Sequence, residues 1–181
     1  MKRQFFLMGV LATACSLVVP AIASSPSANS VDPQVKQAMA LLKQTTADLG
    51  APSLDGTDVV AGQVVPVLRF GNTAINNNEQ VVDAVRAQSG GGMTATLFAR
   101  KGDNFIRVST NVPSPNDPHH RAVGTLLDPK GPVITKIRYG GVFYGLVSIL
   151  GTPYITGYEP IKAASGDVIG IYYVGYKASA R

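Results

Sequence analysis

MTATLFARKGDNFIRVST, Met93–Thr110, holds two extended runs on either side of a turn. MTATLFAR is rich in β-branched and apolar residues, and KGDN has the composition of a tight turn. NFIRVST then resumes the extended pattern, so the pair reads as a β-hairpin. Strand alternation puts Phe105, Arg107 and Ser109 on one face and Ile106, Val108 and Thr110 on the other. Arg107 lies between two β-branched apolar residues and admits two readings. It is a cation that snorkels to solvent or pairs with an acid such as Glu159. Or it is a cation aimed into a cavity, where a guanidinium suits a carboxylate because it offers parallel N–H donors in a rigid fork.

Downstream, NVPSPNDPHH is a loop rich in Pro, Asn and Asp, and a short helix is expected around Val133–Ile137. GVFYGLVSIL, TPYITGYEPI and VIGIYYVGY follow with short turns between them, the pattern of an antiparallel meander. Upstream, SVDPQVKQAMALLKQTTADLG predicts an amphipathic helix of about four turns. Asp32 caps it, Pro33 opens it and Gly50 stops it, with Val35, Met39, Leu42 and Leu49 as its apolar stripe. APSLDGTDVVAGQ is turn-rich and reads as a connector. VVPVLRFG is extended, with Pro66 placing it at an edge or in irregular structure. Asn78 caps a second, short helix with Val81, Val82 and Val85 inward. The order predicts an α+β domain: an antiparallel sheet of about five strands covered by helices.

The first residues belong to targeting. Lys2 and Arg3 precede an uncharged apolar run, Phe5–Val19, and Ala21-Ile22-Ala23 is an A-x-A cleavage site. Residues 1–23 therefore read as a secretory signal peptide, 24–30 as a flexible leader and 31–181 as one domain. A membrane anchor would need about 20 apolar residues, and a lipoprotein at Cys15 would need a large apolar residue before it. Cys15 is the sole cysteine, so cleavage leaves no disulfide and no thiolate chemistry. The expected compartment is periplasmic or secreted. Removing Lys2 and Arg3 from 16 basic residues against 11 acidic ones leaves a mild positive balance. No basic stripe points to nucleic acid, and no second apolar stretch points to stable membrane insertion.

Four segments carry a resemblance beyond periodicity: GGMTATLFARKGDNFIRVSTNV, RAVGTLLD, VFYGLVSILGTPYITGYEPI and GDVIGIYYVGY. In this order they resemble a single Cache domain of the Cache 3 or Cache 3–Cache 2 fusion branch, the extracellular sensor of bacterial chemoreceptors. The resemblance is strong over Gly92–Tyr176 and looser over Val64–Gln88. It implies a PAS-like sheet with the long N-terminal helix on one face and a ligand pocket on the other. It also implies a small-molecule ligand, commonly an organic acid or amino acid, and a role in chemotaxis or related signal transduction. The chain carries no HAMP linker or signalling coiled coil. It is therefore expected to act as a free binding protein or through a partner such as a membrane receptor or sensor kinase.

The candidate ligand contacts are Arg107, Arg121, Thr125, Tyr144, Thr156 and Tyr158. Arg121 and Thr125 flank the RAVGT turn, which the resemblance places near the pocket rim; a local cap or ion pair is the other reading of Arg121. Tyr154, Thr156 and Tyr158 alternate on one strand and share a face, with Tyr144 on the strand before. A phenol joins an apolar body to one directed hydroxyl, which suits the wall of a small polar site. Tyr172, Tyr173 and Tyr176 read as packing residues. His119-His120 with Asp117 lacks a third ligand at useful spacing, so no metal and no cofactor are expected. GxSxG, HExxH, P-loop and GxGxxG patterns are absent from the sequence, which argues against an enzyme. The expected function is capture of a small metabolite, an organic acid or other anion. The alternative is a non-catalytic interaction protein with a degenerate pocket that docks on a membrane receptor.

Overall fold

The computed structural model describes residues 31–179. The signal peptide and leader read over 1–30 lie outside the described residues. The first helix, α1 (Pro33–Ala47), starts where Asp32 Oδ1 accepts the backbone N–H of Gln34 (2.9 Å) and Val35 (3.1 Å). It buries Val35, Ala38, Met39, Leu42 and Thr46. Leu49 falls past the helix end and is partly exposed, so the stripe closes on Thr46, whose hydroxyl donates back to Leu42 O.

The segment read as a connector is a strand. β1 (Pro52–Val60) pairs antiparallel with β2 (Gln63–Phe70), which pairs in turn with β3 (Thr73–Ala74). Pro, Asp and Gly disfavour strands on average, but β1 is an edge strand, and its register shifts between Leu54 and Thr57, around Asp55-Gly56. β2 is the central strand of this sheet, and Pro66 sits opposite Thr57 beside the shift. Of the two readings of Pro66, edge or irregular, irregular is the one found.

After α2 (Gln80–Gln88) come β4 (Thr94–Lys101), β5 (Asn104–Thr110), α3 (Pro132–Arg138), β6 (Phe143–Ile149), β7 (Thr152–Lys162) and β8 (Val168–Lys177). These strands form a five-stranded antiparallel sheet in the order β5-β4-β8-β7-β6. The expected hairpin and meander are both in it. The expected single sheet becomes two, because β1–β3 pair among themselves. No helix among the described residues is long and apolar enough to cross a membrane.

Two apolar layers hold the large sheet. One joins Val35, Met39 and Leu42 of α1 and Val82 and Val85 of α2 to Leu97, Ile106, Val108 and Val174. The other joins Ile134 and Ile137 of α3 to Phe98, Phe105, Tyr158, Ile171 and Tyr173. Gly157 of β7 permits the first: a Cβ there would stand 2.6 Å from the Tyr144 ring and 3.0 Å from Val35 Cγ1.

Arg107 shares the α3 layer with Phe105 by alternation, and the β4–β5 register slips just beyond it, between Leu97 and Phe98. Leu97 pairs with Ser109 and Phe98 with Arg107, leaving Val108 as the extra residue. Phe105 and Arg107 thus keep to one face, while Val108 and Ser109 turn together to the helical face. The Ser109 hydroxyl donates to Asn78 O at 2.5 Å, ahead of α2. Strict alternation had placed Ser109 beside Arg107; the bulge overturns that.

Candidate functional site

A cavity of about 360 Å³ lies on the α3 side of the large sheet. Arg107 and Tyr158 form part of its wall with the Leu126–Asp128 loop, the start of α3 and β6 with its turn. Arg107 is 4 % exposed. Its guanidinium stacks 4.9 Å from the Phe98 ring centroid. Nη1 donates to Thr125 Oγ1 (2.8 Å) and to Leu126 O (3.1 Å), while Nε is buried with no partner among the described residues. No carboxylate among the described residues lies within ion-pairing distance of Arg107; the Glu159 pairing open to it in sequence is made by Lys43 instead, at 2.6 Å. Burial pulls the Arg107 pKa down, opposed by the neighbouring Tyr158 and Tyr173 phenols. An unpaired buried cation beside a cavity is chemically an anion acceptor.

Thr125 stands behind the cation. Its Oγ1 accepts from Arg107 and donates to Ala122 O at 2.7 Å. The RAVGT turn is also tied to β5 by backbone: Arg107 N donates to Thr125 O (2.9 Å) and Gly124 N to Arg107 O (2.8 Å). Tyr158 packs its ring 4.9 Å from Tyr173 and 6.2 Å from Phe143. Burial pushes its phenol pKa well up, and the Arg107 charge counteracts this. Tyr158 therefore stays a neutral donor or acceptor at the cavity wall.

The other three sequence candidates are placed elsewhere. Arg121 grips Asp83 with two bonds (2.8 and 2.9 Å) and reaches Glu79 through Nε at 3.1 Å. This anchors α2 to the RAVGT segment, the local pairing that was the other reading of Arg121. Tyr144 faces the α1 side, where its hydroxyl donates to Glu159 at 2.5 Å. Burial, then the Glu159 bond, drives its pKa well up. Thr156 shares the Tyr154 and Tyr158 face, but its hydroxyl is spent on Gly145 O at 2.8 Å. His120 Nδ1 lies 2.6 Å from Asp117 in an exposed loop, and the described residues hold no cluster of three or more metal-ligating side chains.

Sequence reasoning missed the apolar wall: Leu127, Val133, Val147, Ile149 and Leu150. A signal for it was present in LVSIL, Leu146–Leu150, whose apolar residues do not alternate as a one-faced strand requires.

A family model described as the Cache 3/Cache 2 fusion domain matches residues 21–181. The chain belongs to the Cache 3/Cache 2 fusion family. No curated protein matches the chain. Cache domains are extracellular sensor modules that bind small-molecule ligands and are generally non-catalytic. In this Cache domain, Arg107 and Tyr158 share the wall of the α3-side cavity, and Thr125 holds the guanidinium through Nη1.

Proposed function

We propose that this Cache domain captures a small anionic metabolite, an organic acid, in the cavity beside Arg107, and does so outside the cytoplasm. The observation that carries this reading is the Arg107 guanidinium, 4 % exposed, on the cavity wall, and without an acidic partner among the described residues. A buried charge without a counter-ion is costly, and a bound carboxylate would supply the counter-ion that the fold omits. Tyr158 would orient the anion through its hydroxyl. Thr125 acts as a positioning residue, holding Nη1 so that Nη2 remains for the ligand. The signal peptide expected over residues 1–23 supports the same reading, because a sensor of external metabolites must reach them. A membrane receptor or sensor kinase then reads the loaded state.

The test is a thermal-shift screen of the protein against organic acids and amino acids, followed by calorimetry. A ligand that binds only the folded state raises the melting temperature in step with RT ln(1 + [L]/Kd). Arg107→Ala should abolish the carboxylate response. Arg107→Lys should weaken it, since an ammonium keeps the charge but not the fork. A carboxylate response that survives Arg107→Ala would sink the reading.

A further inference from the structure

We infer that the Arg107 cavity selects monocarboxylates with an apolar body, of about five to eight carbons, over dicarboxylates. The inference rests on the anion-capture reading and names the class of acid.

The count of donors sets the number of carboxylates. Among the described residues, Arg107 is the only cationic side chain in the wall. Both Nη1 bonds are already made, to Thr125 Oγ1 and Leu126 O. What remains for a ligand is Nη2, because Nε is fully buried, so the cavity offers one positive charge and one donor group to one carboxylate. A second carboxylate would meet no cation. It would meet Asp128, which also stands in the wall.

The remaining wall sets the body of the ligand. Leu127, Val133 and Ile149 belong to the apolar layer under α3, and Val147 and Leu150 pack against it. Leu150 is the telling member. It leads the β6–β7 turn at φ 50°, a left-handed conformation in which Gly or Asn would be at ease and a leucine is strained. The strain is tolerated where the side chain completes an apolar wall. Volume sets the length: about 360 Å³ is room for roughly a dozen waters at ~30 Å³ each, and an acid of two or three carbons leaves most of it wet.

The experiment is calorimetric titration of the protein with acetate, butanoate, hexanoate and succinate. Affinity should rise along the monocarboxylates by up to about fourfold per methylene, the ratio expected for each CH₂ taken out of water. Hexanoate should outbind succinate by more than tenfold. A flat chain-length series, or succinate binding as tightly as hexanoate, overturns the assignment and leaves anion capture standing. Binding of no acid at all overturns both. Leu150→Asn provides the second arm, because Asn accepts the left-handed backbone and the fold should be kept. It should weaken hexanoate severalfold and acetate by less; equal losses for the two acids would count against an apolar wall at Leu150.

Discussion

Arg107 and Thr125 are joined twice, once through side chains (Nη1 to Oγ1, 2.8 Å) and once through backbone (N to O, 2.9 Å). The cation on the cavity wall is thus held by the loop that follows it rather than by an opposing acid. Thr125→Val keeps the shape of the side chain and deletes its oxygen. Two buried groups, Arg107 Nη1 and Ala122 O, then each lose a partner. We expect a stability loss of about 1–3 kcal/mol in denaturant unfolding, and weaker carboxylate binding by calorimetry because the guanidinium is no longer aimed.

The same turn carries the tip of the β1–β2 hairpin. Gly124 has φ +81°, and a Cβ there would stand 2.4 Å from Ala61 Cβ; Gln63 also donates to Gly124 O at 3.1 Å. Gly124→Ala should cost about 1–3 kcal/mol from strain and overlap. Ala61 is itself left-handed at φ 48°, so Ala61→Gly alone should stabilise slightly. In the double variant it should recover part of the Gly124→Ala loss, and a double-mutant cycle of unfolding energies would show a coupling above about 0.5 kcal/mol. Strict additivity would mean that the two positions do not press on each other.

Arg121 and Asp83 form a structural clamp, and their variants should separate folding from binding. The hydrogen bond from Arg121 holds the Asp83 carboxyl below its usual range, against the opposing effect of burial. A folded value below the unfolded one stabilises the fold at pH above about 4, and this contribution is lost as pH falls through the depressed value. Both side chains are partly solvated, so its size is up to about 1 kcal/mol. Asp83→Asn should lower stability at pH 7 and flatten the acid limb of the stability–pH curve. Carboxylate affinity at pH 7 should be unchanged.

Tyr144 provides a control on the opposite face. Tyr144→Phe removes the bond to Glu159 and leaves Lys43 as that carboxylate's partner. Stability should fall by about 0.5–1.5 kcal/mol. A change in ligand affinity beyond twofold would show that the α1 face communicates with the cavity.

The hairpin at Met93–Thr110, the three-strand meander, the capped first helix and the Val-rich second helix were legible because local patterns specify them. Alternation, caps and turn residues act within a few residues of sequence. The strand at Pro52–Val60 was illegible because its composition signals turns, and only pairing with Gln63–Phe70 makes it extended. Within the site, Arg107, Thr125 and Tyr158 could be picked out by residue type. The wall from Leu127 to Leu150 could not, since its members come from a loop, a helix and a strand that meet only in the folded chain.

The sequence by itself determined the family, the α+β class and the presence of a cation inside an apolar strand, because these rest on local periodicity and on ordered motifs. Tertiary structure decided which face that cation took. One extra residue at Val108 reverses the alternation after Arg107, sending Ser109 to the helices and leaving Arg107 with Phe98 and Tyr158. A bulge depends on the partner strand, so no reading of NFIRVST alone could place it. Tertiary packing likewise gave Glu159 to Lys43 and Tyr144 and gave Asp83 to Arg121, which left Arg107 as the buried charge without an acid.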